Sequence, residues 1–253
     1  MRKLFISIGL LLTLALNAQL NVGVVSAQKR VTASSSTLLN GLISYWNFNE
    51  ASGTVANDSK DLTNLDIVGA TVNQSGKLGQ SYSFTGSESD YVGYIHTTYD
   101  LEYITIGCWI NTTTTGAYQA LISNYNSNLG YSLQINDANK VEIQVGNGTA
   151  GGYSGGSTTT VTGGAWHLVI GTYDGTNVKI YVDGSMENSD TDAITGPIAY
   201  STSENEHFSI GRRRAGIYYT GYIDEPFIYN RALTQTEVTE LWNSGTGKTY
   251  PFN

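Results

Sequence analysis

The chain has 253 residues, 29 glycines, 18 tyrosines and a formal net charge of −8. Because so acidic a chain repels phosphate backbones, nucleic acid is excluded as an expected partner. The single cysteine, Cys108, excludes an intrachain disulfide, and its place in an alternating apolar run predicts a small buried side chain.

Residues 1–27 have the pattern of a signal peptide. A basic start precedes an almost wholly apolar run over residues 4–16, and small residues then offer cleavage after Ala18 or, better, after Ala27. An uncleaved anchor is the alternative, but the apolar run is shorter than the about 20 residues of a spanning helix. We therefore expect a secreted, periplasmic or cell-surface protein with no membrane span after signal cleavage.

Residues 28–40 are polar and Ser/Thr-rich, which predicts a short flexible lead. Short alternating runs separated by turn signals then predict one antiparallel β-sandwich domain over residues 41–245, followed by a tail over residues 246–253. The Gly/Ser/Thr-rich stretch 146–164 predicts a mobile loop or a weak strand. The predicted strands are Leu42–Asn47, Gln80–Phe84, Tyr91–Ile95, Thr105–Asn111, Ala120–Ser123, Gly130–Ile135, Val141–Val145, Trp166–Tyr173, Val178–Val182, Phe208–Gly211 and Tyr219–Tyr229.

The segment Trp166–Gly184 gives the clearest local prediction, a β-hairpin. Leu168 and Ile170 share one face of its first strand, which is the period of a strand with one buried side. Asp174-Gly175 tolerates a positive φ and is a strong signal for a short hairpin turn.

One helix is legible near the end of the chain. Thr234 and Glu237 have the spacing of a capping box, in which each side chain accepts a hydrogen bond from the other residue's backbone. Apolar residues at helical spacing follow across residues 238–242, and Gly245 is placed to end the helix.

The order of these motifs resembles laminin-G-like, concanavalin-A-like domains, and more narrowly the bacterial pentraxin-related modules. The resemblance implies an all-β, antiparallel jelly-roll sandwich with one short C-terminal helix. One departure is Pro226, which replaces a usual valine inside a strand although proline cannot donate to the ladder. The segments that carry the resemblance are Gly41–Glu50, Ser52–Thr54, Asn57–Ser59, Leu78–Gly86, Asp90–Val92, Ile104–Ile110, Trp166–Gly184, Gly221–Glu225 and Tyr229–Thr234.

The resemblance also implies a structural Ca²⁺ where the first strand, the following loop and the last strand meet. Ca²⁺ takes about six to eight oxygen ligands. Asn49 and Thr85 stand where the family often has aspartate, which reduces the charge available to the ion. In the alternative reading, Asp58 caps a turn and Asp224 pairs with a surface cation. The positions that match the ligands are Asn49 or Glu50, Asp58, the carbonyl of Gly86, and Asp224.

A catalytic site is not expected. Glycoside hydrolysis needs two carboxylates at a set separation, and some enzymes of this fold carry Glu-x-Asp-x-Glu on one strand. The nearest match, Glu88–Val92, lacks the third carboxylate, and Glu204 and Glu206 are expected in a polar loop. No histidine has a glutamine two residues before it, as in lyases of this fold.

Carbohydrate binding is the remaining candidate function. Sugars pack on the faces of aromatic rings, while amides and carboxylates bind the sugar hydroxyls. The arginine run that begins at Arg212 could bind an acidic glycan or could pair with the chain's own carboxylates. Tyrosine is also common in β-strands that have no binding role. We expect an exported, non-catalytic module that binds a glycan or a surface protein; the alternatives are an adhesive protein without a small ligand and a hydrolase or lyase. The candidate ligand contacts are Asn124, Tyr125, Arg212, Arg213, Tyr218 and Tyr219.

Overall fold

The computed structural model describes residues 36–94, 97–190, 194–201, 208–213 and 216–253. All of them belong to one unit, which spans residues 36–253. The predicted signal peptide, its cleavage sites, the Glu204 and Glu206 pair and all but the end of the predicted lead lie outside the described residues. Among the described residues, no helix combines the length and the apolar character needed to cross a membrane.

The described part of the chain is built almost wholly from strands. Three 3-10 turns, Thr37–Leu39, Thr97–Tyr99 and Asn243–Gly245, and one α-helix, α1 (Gln235–Trp242), complete it. The strands are β1 (Leu42–Tyr45), β2 (Val55–Ala56), β3 (Leu65–Val68), β4 (Thr71–Ser75), β5 (Gln80–Thr85), β6 (Tyr91–Tyr94), β7 (Ile104–Asn111), β8 (Gln119–Asn126), β9 (Leu129–Ile135), β10 (Val141–Asn147), β11 (Gly151–Tyr153), β12 (His167–Tyr173), β13 (Val178–Val182), β14 (Ser185–Asp190), β15 (Phe208–Ile210), β16 (Arg212–Arg213), β17 (Ile217–Tyr218) and β18 (Thr220–Tyr229).

Two large antiparallel sheets face each other. In the described residues the first sheet has the order β14-β13-β12-β7-β18-β5-β4, with β1 also paired to β18, and the second has the order β11-β10-β9-β8-β15-β6-β3-β2. The strands β16 and β17 form a separate pair. The predicted all-β antiparallel sandwich with one short C-terminal helix is confirmed.

Every predicted strand overlaps a strand of the structure, but several short strands were not predicted. The strands β2, β3, β4 and β14 lie at or near sheet edges and carry mostly exposed or half-buried residues, so their alternation of apolar and polar side chains is weak. The Gly/Ser/Thr-rich stretch 146–164 contains the short edge strand β11, which agrees with the weak-strand alternative of the prediction.

The first sheet has an apolar cluster on each of its two faces. One fills the space between the two sheets, and the other covers the outer face of the first sheet beneath α1 and the end of the chain. In β12, Val169 faces the inter-sheet core while Leu168 and Ile170 belong to the outer cluster. The prediction that this strand has one buried side is therefore wrong, because α1 covers the face that a two-layer sandwich would leave to solvent.

The predicted hairpin is present as β12 and β13. Tyr173 pairs with Val178, so four residues form the connection. The Asp174 carboxylate accepts hydrogen bonds from the backbone N–H groups of Thr176 (3.0 Å) and Asn177 (2.7 Å). Gly175, directly after Asp174, takes a positive φ of 95°, which glycine adopts without strain.

The helix α1 begins with the predicted capping box, in which Thr234 and Glu237 each bond the other's backbone N–H. It ends earlier than predicted, because Asn243 adopts the left-handed conformation at φ 48° and interrupts the helical ladder before Gly245. The residues beyond it are packed: Phe252 is 2% exposed and meets the Tyr45 ring edge-on at 5.5 Å.

A β-bulge in β18 accounts for proline inside a strand. Asp224 pairs with Trp109 and Phe227 pairs with Gly107, so β18 has one extra residue at Glu225-Pro226, where Glu225 has a φ of 51°. A bulge leaves one residue outside the ladder, so the missing N–H of proline leaves no gap in the pairing.

Candidate functional site

The outer face of the second sheet carries polar side chains that are shielded from solvent. Along β9 and β10, alternate residues enter the inter-sheet core, and the residues between them, including Gln134, Glu142 and Gln144, point to the opposite face. All three are buried, and the β16–β17 pair packs against the neighbouring strand β8 on this side. Buried polar side chains require partners, and this set finds them in one another.

Arg213 is the hub of this network. Its Nη1 donates hydrogen bonds to the side-chain oxygens of Gln134 (3.1 Å) and Gln144 (3.0 Å). Its guanidinium lies 4.4 Å from the centre of the Tyr125 ring, within the range of a cation–π contact. Burial lowers the pKa of Arg213 from its ordinary value, but an arginine in a protein stays charged at neutral pH.

Glu142 lies on the other side of the two glutamine amides. Its Oε1 accepts hydrogen bonds from the amide nitrogens of Gln134 (2.7 Å) and Gln144 (3.4 Å), and its Oε2 accepts one from Asn136 (3.0 Å). Each glutamine thus turns its oxygen to Arg213 and its nitrogen to Glu142. The result is a fixed row of cation, amides and carboxylate.

Two exposed tyrosines stand beside this row. Tyr118 and Tyr153 are each 45% exposed, and Tyr153 is the register partner of Gln144 across β10 and β11. Tyr118 directly precedes β8, whose first residue Gln119 pairs with Ile135 of β9, and the charge of Glu142 raises the pKa of the Tyr118 hydroxyl. We call the set Tyr118, Tyr125, Gln134, Glu142, Gln144, Tyr153 and Arg213 the polar face.

Of the predicted ligand contacts, Tyr125 and Arg213 belong to the polar face, and Arg212 lies beside it. The Arg212 guanidinium is 3.4 Å from the centre of the Tyr91 ring, and its Nη1 donates a hydrogen bond to the Glu88 carbonyl at 3.1 Å. The two arginines of β16 are therefore each stacked on a tyrosine of the second sheet.

The remaining predicted contacts are not members of the polar face. Asn124 donates a hydrogen bond to Asp100 at 3.0 Å and is held away from that face, whereas Tyr218 is half-buried in β17 as the register partner of Arg212. Tyr219 is fully buried in the inter-sheet core, where its hydroxyl donates to the Asn111 carbonyl at 3.2 Å. Its assignment as a ligand contact is corrected by this burial, because the side chain packs in the core.

Asp58 is used as a turn carboxylate. Its two carboxylate oxygens accept four backbone hydrogen bonds, so its acceptor sites are largely occupied. This arrangement matches the turn-capping alternative. The donors are the N–H groups of Tyr45 (3.1 Å), Lys60 (2.9 Å), Leu62 (3.3 Å) and Thr63 (3.2 Å).

Two other candidate calcium ligands also accept backbone hydrogen bonds. Asn49 accepts a hydrogen bond from the Gln80 N–H at 2.7 Å, and Glu50 accepts one from the Asn57 N–H at 2.8 Å. Among the residues that the structure describes, no three His, Cys, Asp or Glu side chains are grouped so as to hold a metal ion.

Gly86 is also far from Asp224. The pairing of β18 with β5 joins Thr220 to Thr85 and Ile223 to Tyr82, so Gly86 and Asp224 lie at opposite ends of the pairing, on the order of 16 Å apart at about 3.3 Å per residue. The five predicted ligands therefore do not fit a single ion as a set, and calcium binding stays a prediction.

The β18 bulge buries two consecutive carboxyl groups, those of Asp224 and Glu225. Asp224 accepts a hydrogen bond from the Leu78 N–H at 2.8 Å, and Glu225 accepts one from the Tyr45 hydroxyl. Burial raises the pKa of Asp224 to about 7; burial, with the charge of Asp224, raises the pKa of Glu225 to about 9. Neither forms an ion pair with a described lysine or arginine, so the surface-cation alternative for Asp224 finds no partner among these residues.

The glutamines, Glu142 and Tyr118 of the polar face were not singled out from the sequence, whereas Tyr153 is one of the tyrosines whose residue type is consistent with carbohydrate binding. The signal that could have found them is the polar half of the alternation in two predicted strands, Gly130–Ile135 and Val141–Val145. Solvent explains polar residues on one side of a strand equally well, so alternation alone does not reveal that they bond to one another.

A family model described as "Concanavalin A-like lectin/glucanases superfamily", of the laminin-G type, matches residues 79–239. The match covers more than half of the chain and spans most of both sheets and part of α1. The protein belongs to this family, and the predicted resemblance is confirmed.

Several solved structures share the fold. The binding domain of Paraclostridial Mosquitocidal Protein 1 is 17% identical, with a TM-score of 0.64 over 82% of this chain and 53% of that one. Domain 4 of AbnA, an extracellular arabinanase from Geobacillus stearothermophilus in complex with arabinotriose, is 18% identical, with a TM-score of 0.62 over 79% of this chain and 97% of that one.

The binding domain of Botulinum Neurotoxin DC, in complex with SialylT, is 15% identical, with a TM-score of 0.59 over 81% of this chain and 52% of that one. This chain thus spans about half of each toxin binding domain. At these identities the likeness shows the fold alone. No curated protein sequence matches the chain.

Proposed function

We propose that this protein is an exported, non-catalytic carbohydrate-binding module and that the polar face is its ligand site. The observation that carries the proposal is the row of Arg213, two glutamine amides and Glu142 beside two exposed tyrosine rings. The signal-peptide pattern of residues 1–27 supports export.

The chemistry of a sugar matches this arrangement. A pyranose or furanose presents hydroxyls that both donate and accept hydrogen bonds, and an apolar face of C–H groups. Glu142 can accept from hydroxyls, Arg213 can donate to them, and the Tyr118 and Tyr153 rings offer apolar surface. The side chains of the row are fixed by their mutual bonds, so a ligand does not have to order them when it binds.

The structural likenesses support the same class of ligand. Two of the proteins that share this fold were solved with arabinotriose and with SialylT. Proteins of one fold can bind different ligands at different positions. These complexes therefore support carbohydrate as the class of ligand and leave the particular sugar open.

A glycan array with the protein from Gln28 onward tests the proposal. Tyr153→Ala removes an exposed ring from the polar face, and we expect at least about tenfold weaker binding to the glycans that the wild type selects. Tyr222→Ala is the matched control, because Tyr222 is 39% exposed and lies on the first sheet. Its binding should equal that of the wild type.

Three outcomes would contradict the proposal. Binding that Tyr153→Ala leaves unchanged would move the site elsewhere. A blank array together with self-association in size-exclusion chromatography would favour an adhesive protein without a small ligand. Release of reducing ends from a bound polysaccharide would show a hydrolase.

A further inference from the structure

The arginines of β16 differ in their partners from Arg231 and Lys248, and resemble Lys140, which also bonds neutral oxygens. Arg231 pairs with Glu237 at 2.7 Å, and Lys248 pairs with Glu240 at 3.0 Å. No carboxylate of the described residues forms a salt bridge with Arg212 or Arg213, although the chain carries 21 acidic residues. The alternative that this run pairs with the chain's own carboxylates thus finds no support in the described residues.

Neutral groups hold both guanidinium groups in place. Arg212 stacks on Tyr91 and bonds a backbone carbonyl, while Arg213 stacks on Tyr125 and bonds two amide oxygens, one of them from Gln134. These contacts fix the positions of the two cations without neutralising their charge. A half-buried, positioned guanidinium is suited to bidentate binding of a carboxylate.

The geometry leaves one edge of Arg213 available. Its Nη1 serves both glutamines, and its Nε and Nη2 have no hydrogen-bond partner in the part of the chain that the structure describes. Glu142, the nearby negative charge of the network, is separated from Arg213 by the two amides and accepts hydrogen bonds from three amide groups. An anion can therefore approach Arg213 on the side away from the amides.

We infer that the polar face selects acidic glycans, whose sugar carboxylate binds Arg213 with Arg212 adding a second positive charge. The inference rests on the proposed carbohydrate binding and names the class of sugar. A uronic acid or another carboxylated sugar supplies the charge that the described protein does not. A neutral glycan would fill the same face and offer hydroxyls to Arg213 but no negative charge.

A matched pair of ligands tests the inference: a uronic-acid oligosaccharide and the same oligosaccharide with its carboxyl groups reduced to alcohols. By isothermal titration calorimetry, the wild type should bind the acidic form at least about tenfold more tightly, as expected for a charge-assisted bidentate contact. The affinity for the acidic form should fall as NaCl rises, and the affinity for the reduced form should not.

Arg213→Gln should remove this preference, so that the variant binds the acidic and the reduced forms with affinities within about twofold of each other. Lys179→Gln, on β13 of the first sheet, makes the same change of net charge away from the polar face and should keep the preference. Arg213→Lys keeps the charge without the planar fork and serves if the glutamine variant does not fold; it should keep the salt dependence and bind the acidic form more weakly.

Equal affinity of the wild type for the two forms, with binding that still depends on Tyr153, would overturn the inference and leave the proposed function standing. A preference that survives Arg213→Gln would also overturn it. Failure to bind any glycan, acidic or neutral, would instead overturn the proposed function.

Discussion

Asp224 and Glu225 place two carboxyl groups side by side inside the protein. One oxygen of each, Asp224 Oδ1 and Glu225 Oε1, is buried with no hydrogen-bond partner among the described residues. A buried carboxylate is costly unless a cation or donors satisfy it. Asp224 is therefore the predicted calcium ligand whose surroundings leave an oxygen for an ion, whereas Asp58 is taken up by backbone donors.

Calcium is expected to raise the melting temperature through this pair. In differential scanning calorimetry, millimolar Ca²⁺ should raise Tm by a few degrees relative to a chelated sample, because the ion binds the folded state. Asp224→Asn should abolish the rise, and Asp66→Asn, an exposed carboxylate of the second sheet, should leave it unchanged. Equal melting of the wild type in Ca²⁺ and in chelator would contradict calcium binding.

Tyr219 is expected to affect stability and not ligand affinity. Tyr219→Ala removes a fully buried ring that meets Phe84 edge-on at 6.1 Å, so we expect a loss of about 3–5 kcal/mol in the free energy of unfolding by urea titration. Tyr219→Phe keeps the ring and loses the hydroxyl hydrogen bonds, at a cost of about 1 kcal/mol. A folded Tyr219→Phe protein that binds glycans tenfold more weakly than wild type would return this residue to the ligand site.

At the scale of elements, Glu237 connects α1 by hydrogen bonds to Arg231, just after the end of β18. Its carboxylate accepts hydrogen bonds from Arg231 (2.7 and 2.9 Å) and from the backbone N–H of Thr234 (2.9 Å). Partial burial acts to raise the pKa of Glu237, but the Arg231 and Thr234 hydrogen bonds outweigh it and lower that pKa to about 2.

This lowered pKa predicts a loss of stability in acid. The folded-state pKa of Glu237, about 2, lies below the unfolded value of about 4.3, so the folded state holds the charged form more strongly. The stabilisation is complete above about pH 4.3 and is lost as the pH falls towards 2. Urea titrations between pH 5 and pH 2 should show this slope.

Glu237→Gln should flatten that slope and lower stability at pH 7 by about 1 kcal/mol or more. Glu240→Gln is the matched control on the same helix, since its carboxylate pairs with Lys248 at the surface and should leave most of the slope intact. An identical acid slope in wild type and Glu237→Gln would contradict the assignment.

Elements set by neighbouring residues could be predicted from the sequence, and those set by distant ones could not. The β12–β13 hairpin follows from alternation around Asp174-Gly175, and α1 follows from a capping box within four residues. The packing of Phe252 could not be predicted, because two aromatic residues in a short tail do not indicate the sheet face that buries them.

The same distinction applies to the polar face. Tyr125 and Arg213 were chosen for their chemistry, yet 88 positions of sequence separate them and only the fold stacks one on the other. Asn124, next to Tyr125, was chosen on the same grounds, but alternation along β8 turns its side chain the other way. A pattern of residue types indicates which groups can bind a sugar, and strand register decides which of them share a face.

At the scale of the whole molecule, the first sheet belongs to two apolar clusters at once. Trp46 lies in the inter-sheet core, and Trp109 lies in the outer cluster, stacked on Trp242 at 5.2 Å. Because the same strands bury both faces, loss of one cluster exposes the sheet that the other needs. We expect the two clusters to unfold together.

Tryptophan fluorescence can test this cooperativity. Trp46→Phe leaves three tryptophans that all report on the outer cluster. The triple variant Trp109→Phe, Trp166→Phe, Trp242→Phe leaves only Trp46, in the inter-sheet core. In each variant the urea midpoint from fluorescence should coincide with that from far-UV circular dichroism. Two separated midpoints within one variant would show that the C-terminal cover detaches before the sandwich unfolds.

The position of β18 has a consequence for how the chain acquires its structure. This strand, Thr220–Tyr229, occupies the middle of the first sheet and pairs with β7 on one side and with β5 and β1 on the other. Pairings between segments far apart in sequence form slowly, because a long loop must close before any contact rewards it. A nascent chain that has not yet emerged beyond residue 220 lacks the strand that joins these neighbours. The first sheet is therefore completed only after β18 has been synthesised, and until then its strand edges remain open to chaperones or to other chains.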